Sequence, residues 1–307
     1  MSIGAPDRAA PEAKAEGAMS EHKLQIIRRP RLDEPRMLMG LSGWMDSGEV
    51  STGTVNWLTA YLGAEKFAYI EPEGFYIYNF PGTMEMTSLF RPHTRIVNGR
   101  VRMYVLPENA FYYSRASDLV LFSGKEPNLN WQGFGELIFA LCADLTIREI
   151  YFIGSVAGLV PHTRDPRIFC SVSNDDLKVH LARHGVKFTD YEGPASFVTH
   201  MLVEAARRNI SMASFVASVP AYVQGENPKC IDAVLKMLKV VLDLDIELEG
   251  MRQLSDEFEK RLTIAAEEMP ELAETIEKLE SDYDKEIFDV QMGDLKDWLH
   301  QKGIRLD

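Results

Sequence analysis

The chain has 307 residues, of which 46% are apolar and 26% charged, and its formal net charge is −13. This composition is typical of a globular protein with a substantial core, and no apolar run approaches the roughly 18 residues that a membrane span needs. Residues 242–307 hold 20 acidic and 8 basic side chains, whereas residues 1–241 are nearly neutral. An acidic segment of this kind repels phosphate backbones, so we expect no nucleic-acid partner. Because no long apolar run is present, we expect no membrane partner either.

Residues 1–22 are rich in Ala, Pro, Glu and Gly and lack the apolar stretch of a secretory signal, so we predict a disordered leader. The three cysteines, Cys142, Cys170 and Cys230, are far apart and odd in number. Their spacing excludes a CxxC zinc or redox site and favours buried, reduced thiols. These features predict a cytoplasmic protein.

Residues 23–245 alternate between strand-like and helix-like segments, which predicts an α/β body with a mostly parallel sheet flanked by helices. We predict strands at 36–41, 66–71, 101–106, 119–122, 150–153, 167–172 and 214–219. We predict helices at 49–62, 131–145, 175–183, 194–209 and from Pro228 onward. Residues 72–99 are rich in Pro, Gly and aromatic side chains, and we interpret them as a surface excursion with a short hairpin around 75–78.

Residues 246–307 form a strongly acidic tail with a helical apolar period. Apolar side chains from Met251 to Val290 recur every three or four residues, as in a coiled coil. Pro270 interrupts the pattern because proline breaks the helical hydrogen-bond ladder. We therefore predict an all-α tail, folded as a helical hairpin or a kinked coiled coil. Its charge suits a basic protein partner, and equally a solvated helix face.

The sequence contains no GxGxxG, GxxxxGK[ST], HExxH or GxSxG motif. Polar and aromatic residues nevertheless follow several predicted strands, where ligands bind in open α/β sheets. The ligand-cleft candidates are Trp44, Asp46, Ser47, Glu126, His162, Arg164 and Glu192. They either line one cleft, with carboxylates for acid–base chemistry and Arg164 for an anion, or serve structural roles. The structural interpretation, in which Asp46 or Ser47 caps a helix, Arg164 pairs with a neighbouring acid and the loops merely pack, is favoured.

Two further constellations point to chemistry less strongly. Asp176, His180 and His184 share one face of a predicted helix and suit metal ligation, although such spacing is more typical of a solvated face. Cys170 and His162 have the chain order of a catalytic pair, but a thiol in a strand is usually a buried apolar group. We therefore predict no metal, no cofactor and no catalytic residue.

Several of these loops together resemble the proteasome assembly chaperone 2 family. The motifs are Gly43-Trp44-Met45-Asp46-Ser47-Gly48, Gly124-Lys125-Glu126-Pro127, Ile153-Gly154, Pro161-His162-Thr163-Arg164 and Tyr191-Glu192-Gly193-Pro194-Ala195-Ser196. The resemblance covers about residues 36–245 and is closest to bacterial-type members with a long helical C-terminus. It implies a phosphorylase/hydrolase-like α/β fold, a homo-oligomer such as a trimer, and as partner either a protein client or a proteasome-related protein.

One feature departs from the family pattern. Family chaperones that dock on proteasomes end in a hydrophobic-Tyr-any tripeptide, whereas this chain ends in Arg305-Leu306-Asp307. We therefore expect any chaperone activity to use another surface. The leading hypothesis is a non-enzymatic, homo-oligomeric protein-interaction or assembly-chaperone-like protein. The alternative is a small-molecule-binding or hydrolase-like protein that uses the polar cleft at the carboxyl edge of the sheet.

Overall fold

A computed structural model describes residues 23–88 and 90–301, with side chains through residue 286. The leader predicted at 1–22 and the tripeptide at 305–307 lie outside the described residues. In the part of the chain that is described, no helix combines the length and apolarity needed to cross a membrane.

A nine-stranded mixed sheet forms the body, in the order β1-β3-β6-β7-β2-β8-β11-β9-β10. Its strands are β1 (Leu24–Ile26), β2 (Arg36–Ser42), β3 (Glu65–Ile70), β6 (Asn109–Ser114), β7 (Leu119–Lys125), β8 (Glu149–Gly158), β9 (Ile168–Val172), β10 (Lys187–Phe188) and β11 (Ser211–Pro220). The four central strands, β7, β2, β8 and β11, run parallel. These strands are buried on both faces, which explains their nearly continuous apolar sequences.

Helices cover both faces of the sheet, which confirms the predicted α/β architecture. The helices are α1 (Val50–Tyr61), α2 (Met84–Ser88), α3 (Trp131–Asp144), α4 (Asp175–Ala182), α5 (Phe197–Arg207), α6 (Pro228–Val241), α7 (Glu249–Glu267) and α8 (Pro270–Gln301). One apolar core lies against α3 and α5, and a second lies against α1, α4 and α6. The three cysteines are free and buried in these cores, as predicted.

The predicted hairpin around 75–78 is wrong. Phe75 and Tyr76 are buried in the first core, and the Tyr76 hydroxyl donates to Asn109 Oδ1 and lies 2.8 Å from it. Aromatic side chains at these positions therefore fill the core instead of pairing as strands. The actual hairpin is formed by β4 (His93–Val97) and β5 (Arg100–Val105), in a separate two-stranded sheet.

The acidic tail forms two helices that fold back on the body. α7 ends at Glu267, and α8 begins at Pro270, the residue at which the sequence pattern breaks. Thr263 on α7 contacts His162, while Glu280 on α8 contacts Thr163. In a straight helix, Thr263 and Glu280 would lie about 25 Å apart. The adjacent residues His162 and Thr163 could not contact both of them over that distance. The chain must therefore bend sharply between the helices. The boundary near residue 245 stays a prediction.

Candidate functional site

An open groove of about 660 Å³ lies between α5 and the strands β9 and β11. It is lined by Gly43, Trp44, Met45, Asp46, Ser47, Val156, Ala157, Phe169, Ser171, Thr189, Tyr191, Pro194, Ser196, Val198, Thr199, Leu202, Ser214, Val216 and Ser218. Its floor belongs to β9 and β11, and one end is the loop that follows β2. The groove thus adjoins the carboxyl ends of parallel strands, where ligands bind in related architectures.

The loop after β2 brings Trp44, Asp46 and Ser47 to the groove. Asp46 caps the first turn of α1, because its Oδ1 accepts from the Thr52 amide at 3.1 Å and its Oδ2 from the Thr52 hydroxyl at 2.8 Å. Burial raises the pKa of the Asp46 carboxyl, and the two Thr52 hydrogen bonds oppose that rise. Trp44 is 70% exposed and forms part of the rim.

Glu126 lies beneath the rim and joins two elements of the groove. Its Oε2 accepts from the Trp44 amide at 3.0 Å, and its Oε1 accepts from the Phe197 amide at 3.0 Å. Phe197 is the first residue of α5, so the carboxylate also complements the positive end of the helix. Glu126 therefore fixes the position of the rim relative to α5.

Replacing Glu126 by alanine should lower the free energy of unfolding by about 2 kcal/mol, because two backbone donors lose a charged acceptor. Glu126→Gln should lower the free energy of unfolding by less, because the side-chain amide oxygen still accepts one hydrogen bond. Urea unfolding measures the stabilities, and hydrogen exchange at Trp44 and Phe197 reports the local loosening. Wild-type stability in both variants would contradict this role.

His162 lies outside the groove, at the contact between body and tail. Its side chain is 3% exposed, and its Nδ1 lies 2.8 Å from the Tyr222 hydroxyl. Its Nε2 lies 3.2 Å from the Thr263 hydroxyl on α7. Lys229 donates to the His162 carbonyl at 2.6 Å and pairs with Glu259 on α7. His162 is therefore part of the packing between the body and the tail.

The stability of the fold should fall as the pH drops below about 6.5, the ordinary pKa of histidine. Burial lowers the pKa of His162, despite the opposing charges of Glu259 and Glu280. The unfolded chain then binds a proton that the folded chain does not, so acid favours unfolding. Between pH 7 and pH 5, the free energy of unfolding measured in urea should fall less in His162→Gln than in wild type. An equal fall in the two proteins would contradict the prediction.

Arg164 also contacts the tail instead of the groove. Its Nε and Nη2 donate to the two carboxylate oxygens of Asp284, each at 2.8 Å, and its Nη1 lies 3.3 Å from Glu280. Arg167 adds an ion pair with Glu286 and stacks on the Tyr283 ring at 4.1 Å. Glu192 is exposed in the loop before α5 and is not among the groove-lining residues.

The structure therefore divides the seven candidates into separate places. Three of them line the groove, Glu126 supports its rim, His162 and Arg164 hold the tail, and Glu192 faces solvent. Cys170 is buried in the second core, away from the partners of both His162 nitrogens. The rings of His180 and His184 are 5.1 Å apart, but the described residues contain no group of three His, Cys, Asp or Glu positioned to hold a metal.

Most residues of the groove floor were not among the candidates predicted from the sequence. Ser214, Val216 and Ser218 alternate along β11, so their side chains lie on one face of the sheet. Ser171 and Phe169 on β9 continue that face. Ser214 and Ser218, four residues apart on β11, were a usable signal, because a strand buried on both faces is usually a continuous apolar run.

A family model described as the PAC2 family matches residues 40–266. No curated protein sequence matches the chain. Among solved structures, a Mycobacterium tuberculosis protein of unknown function is similar, with a TM-score of 0.77 and 21% identity over 89% of this chain and 92% of that one. A proteasome-assembly chaperone homologue from the same organism has a TM-score of 0.68 and 27% identity over 78% and 99%. An archaeal proteasome activator from Pyrococcus furiosus has a TM-score of 0.59 and 20% identity over 79% and 97%.

Proposed function

Because the chain belongs to the PAC2 family, we propose that it is a non-enzymatic, homo-oligomeric protein-interaction protein of the assembly-chaperone type, with a proteasome-related partner. The support for such a partner is the similarity to a proteasome-assembly chaperone homologue and to an archaeal proteasome activator. Fold similarity alone does not transfer a function, so the proposal also needs support from the site.

The observation that carries the proposal is the dispersal of the candidate acid–base groups. Glu126 binds two backbone amides, His162 binds hydroxyls on both sides of its ring, and Arg164 is committed to carboxylates of the tail. These groups hold the fold together at separate places. The groove instead presents an apolar surface with hydroxyls, and Trp44 and Tyr191 on its rim are each 70% exposed. Exposed aromatic side chains are typical of binding surfaces.

Affinity capture of the tagged full-length chain from its own cells, followed by quantitative mass spectrometry, tests the proposal. We expect a proteasome-related protein to be enriched, and we expect the double variant Trp44→Ala/Tyr191→Ala to reduce that enrichment. Val179→Ala, which shortens an exposed side chain on α4, serves as the control. Absence of any proteasome-related protein from the wild-type capture would contradict the proposed partner.

The groove itself supports a second candidate function, the binding of an uncharged small molecule. Its volume lies within the range of ligand pockets, and apolar side chains with a few hydroxyls line it. Among the described residues that line it, Asp46 is the one charged side chain, and Thr52 occupies both of its carboxylate oxygens. The neutral dye N-phenyl-1-naphthylamine should show a saturable rise in fluorescence with wild type and none with Val216→Arg. An equal response from the two proteins would contradict this candidate.

A further inference from the structure

The hairpin formed by β4 and β5, residues 93–105, is named the arm here. Every residue of both strands is exposed. A two-stranded hairpin without a packed face is only marginally stable in water. Apolar side chains of the arm that reach solvent include Ile96, Val101 and Tyr104, each more than 60% exposed. Contiguous exposed apolar surface of this kind marks an interaction site.

The two faces of the arm differ in chemistry. Ile96 pairs with Val101, and Met103 follows on the same face with its own partner Arg95, so that face is mainly apolar and carries one arginine. Arg100, Arg102 and Tyr104 alternate along β5 and share the opposite face. The arm contains three arginines and no acidic residue, in a chain whose net charge is −13. Its charge is thus opposite to that of the protein as a whole.

The bend between α7 and α8, residues 264–277 and here the tail turn, has complementary properties. It holds five glutamates and no basic residue, and all five are exposed: Glu267, Glu268, Glu271, Glu274 and Glu277. Ile264 and Met269 are exposed beside them, at 59% and 57%. The tail turn therefore combines negative charge with accessible apolar surface.

Within the described part of the chain, the arginines of the arm and the glutamates of the tail turn form no ion pairs. No ion pair between described side chains includes Arg95, Arg100 or Arg102, and none includes a glutamate of the tail turn. The other half of the tail differs, because Glu259, Glu280, Asp284 and Glu286 pair with cations of the body. The unpaired charges thus remain available to another molecule.

We propose that the arm of one copy docks on the tail turn of a second copy of this chain. The inference rests on the homo-oligomer of the proposed function and names the surfaces that build it. Arg100 and Arg102 would face the glutamates of the tail turn, while Ile264 and Met269 would cover Val97 and Tyr104 on the same face of the arm. Complementary charge of this kind sets orientation and speeds association. Each copy offers one arm and one tail turn, so the contact builds a reciprocal dimer, a closed ring or an open chain of copies.

Sedimentation velocity of the full chain over a concentration series, in about 50 and 500 mM NaCl, tests the proposal. Wild type should exceed the monomer mass of 34.7 kDa and dissociate more readily at the higher salt concentration. The arm variant Arg95→Glu/Arg100→Glu/Arg102→Glu should raise the dissociation constant at least tenfold. The control Arg31→Glu/Arg115→Glu/Arg183→Glu changes the net charge equally at other exposed arginines and should associate as wild type does.

A charge swap decides which surface the arm contacts. Adding Glu267→Lys, Glu271→Lys and Glu274→Lys to the arm variant should restore association, because the two surfaces regain opposite charges. An arm variant that keeps the wild-type mass, or a combined variant that stays dissociated, would overturn the arm–tail contact but leave the homo-oligomer standing. A wild type that is monomeric throughout would overturn both. Near-UV circular dichroism of each variant confirms that the body has folded.

Discussion

Replacing Gly40 by alanine is expected to lower the free energy of unfolding by about 3 kcal/mol, a large fraction of the stability of a typical domain. A Cβ at this position would lie 2.5 Å from the Ser51 carbonyl oxygen and 2.8 Å from Val55 Cγ2. The first of these atoms belongs to the backbone of α1 and cannot move aside alone. The helix would have to shift away from β2.

The expected loss of stability is large because Gly40 lies where α1 packs against β2 and is hydrogen-bonded to the sheet. The Ser51 hydroxyl accepts from the Leu41 amide at 2.9 Å and donates to the Ile153 carbonyl. A displaced α1 would weaken these bonds and disturb the adjacent groove loop, which Asp46 joins to the same helix. Burial of Ser51 makes any unpaired polar group there expensive.

Urea unfolding of Gly40→Ala measures this effect, and Gly250→Ala is the matched control. Gly250 lies in α7, and an alanine Cβ at its position would meet no atom within 4 Å. Alanine there should therefore be neutral or stabilise the fold by up to about 1 kcal/mol. If Gly40→Ala were as stable as wild type, the close packing of α1 on β2 would be refuted.

Arg164→Glu is expected to release the tail helices from the body while the body stays folded. The substitution replaces a bidentate contact with Asp284 by repulsion from both Asp284 and Glu280. Hydrogen exchange of the amides around 276–286 should accelerate at least tenfold, because opening of α8 no longer breaks these ion pairs. Exchange in β2 and β8 should remain at the wild-type rate.

The swapped pair Arg164→Asp/Asp284→Arg should slow exchange again, since it restores opposite charges at the same contact. Arg183→Glu is the control, because Arg183 is exposed at the C-terminal end of α4. Exchange as slow in Arg164→Glu as in wild type would show that the tail is held by other contacts. Fast exchange in the swapped pair would show that charge is not the cause.

The sequence was sufficient to predict most of the body but not how the loops meet. The alternation of apolar segments and the Pro and Gly signals placed the starts of β2, α1, α3, β8 and α6 within one residue, and the ends of the first four within five residues. Those signals depend on residues that are close together in the sequence. The failure at 75–78 arose because aromatic residues suit both a strand and a core, and tertiary packing decided between them.

The candidate site was harder to predict because its residues contact distant parts of the chain. His162 and Thr263 are 101 residues apart, and Arg164 and Asp284 are 120 residues apart. Arg164 pairs with Asp284, and nothing in the sequence placed that acid in the tail. β9 runs antiparallel to β11, and neither this direction nor the register of the two strands could be predicted from local sequence patterns.

Co-migration of purified components tests the proposed interaction role most directly. The full-length chain and the proteasome-related protein recovered by affinity capture are mixed and separated by size-exclusion chromatography at physiological salt. The account predicts that the two elute together, and that Trp44→Ala/Tyr191→Ala shifts the chain back to its own elution volume. Separate elution of the wild-type chain and that protein at concentrations of each well above those in the cell would contradict the account.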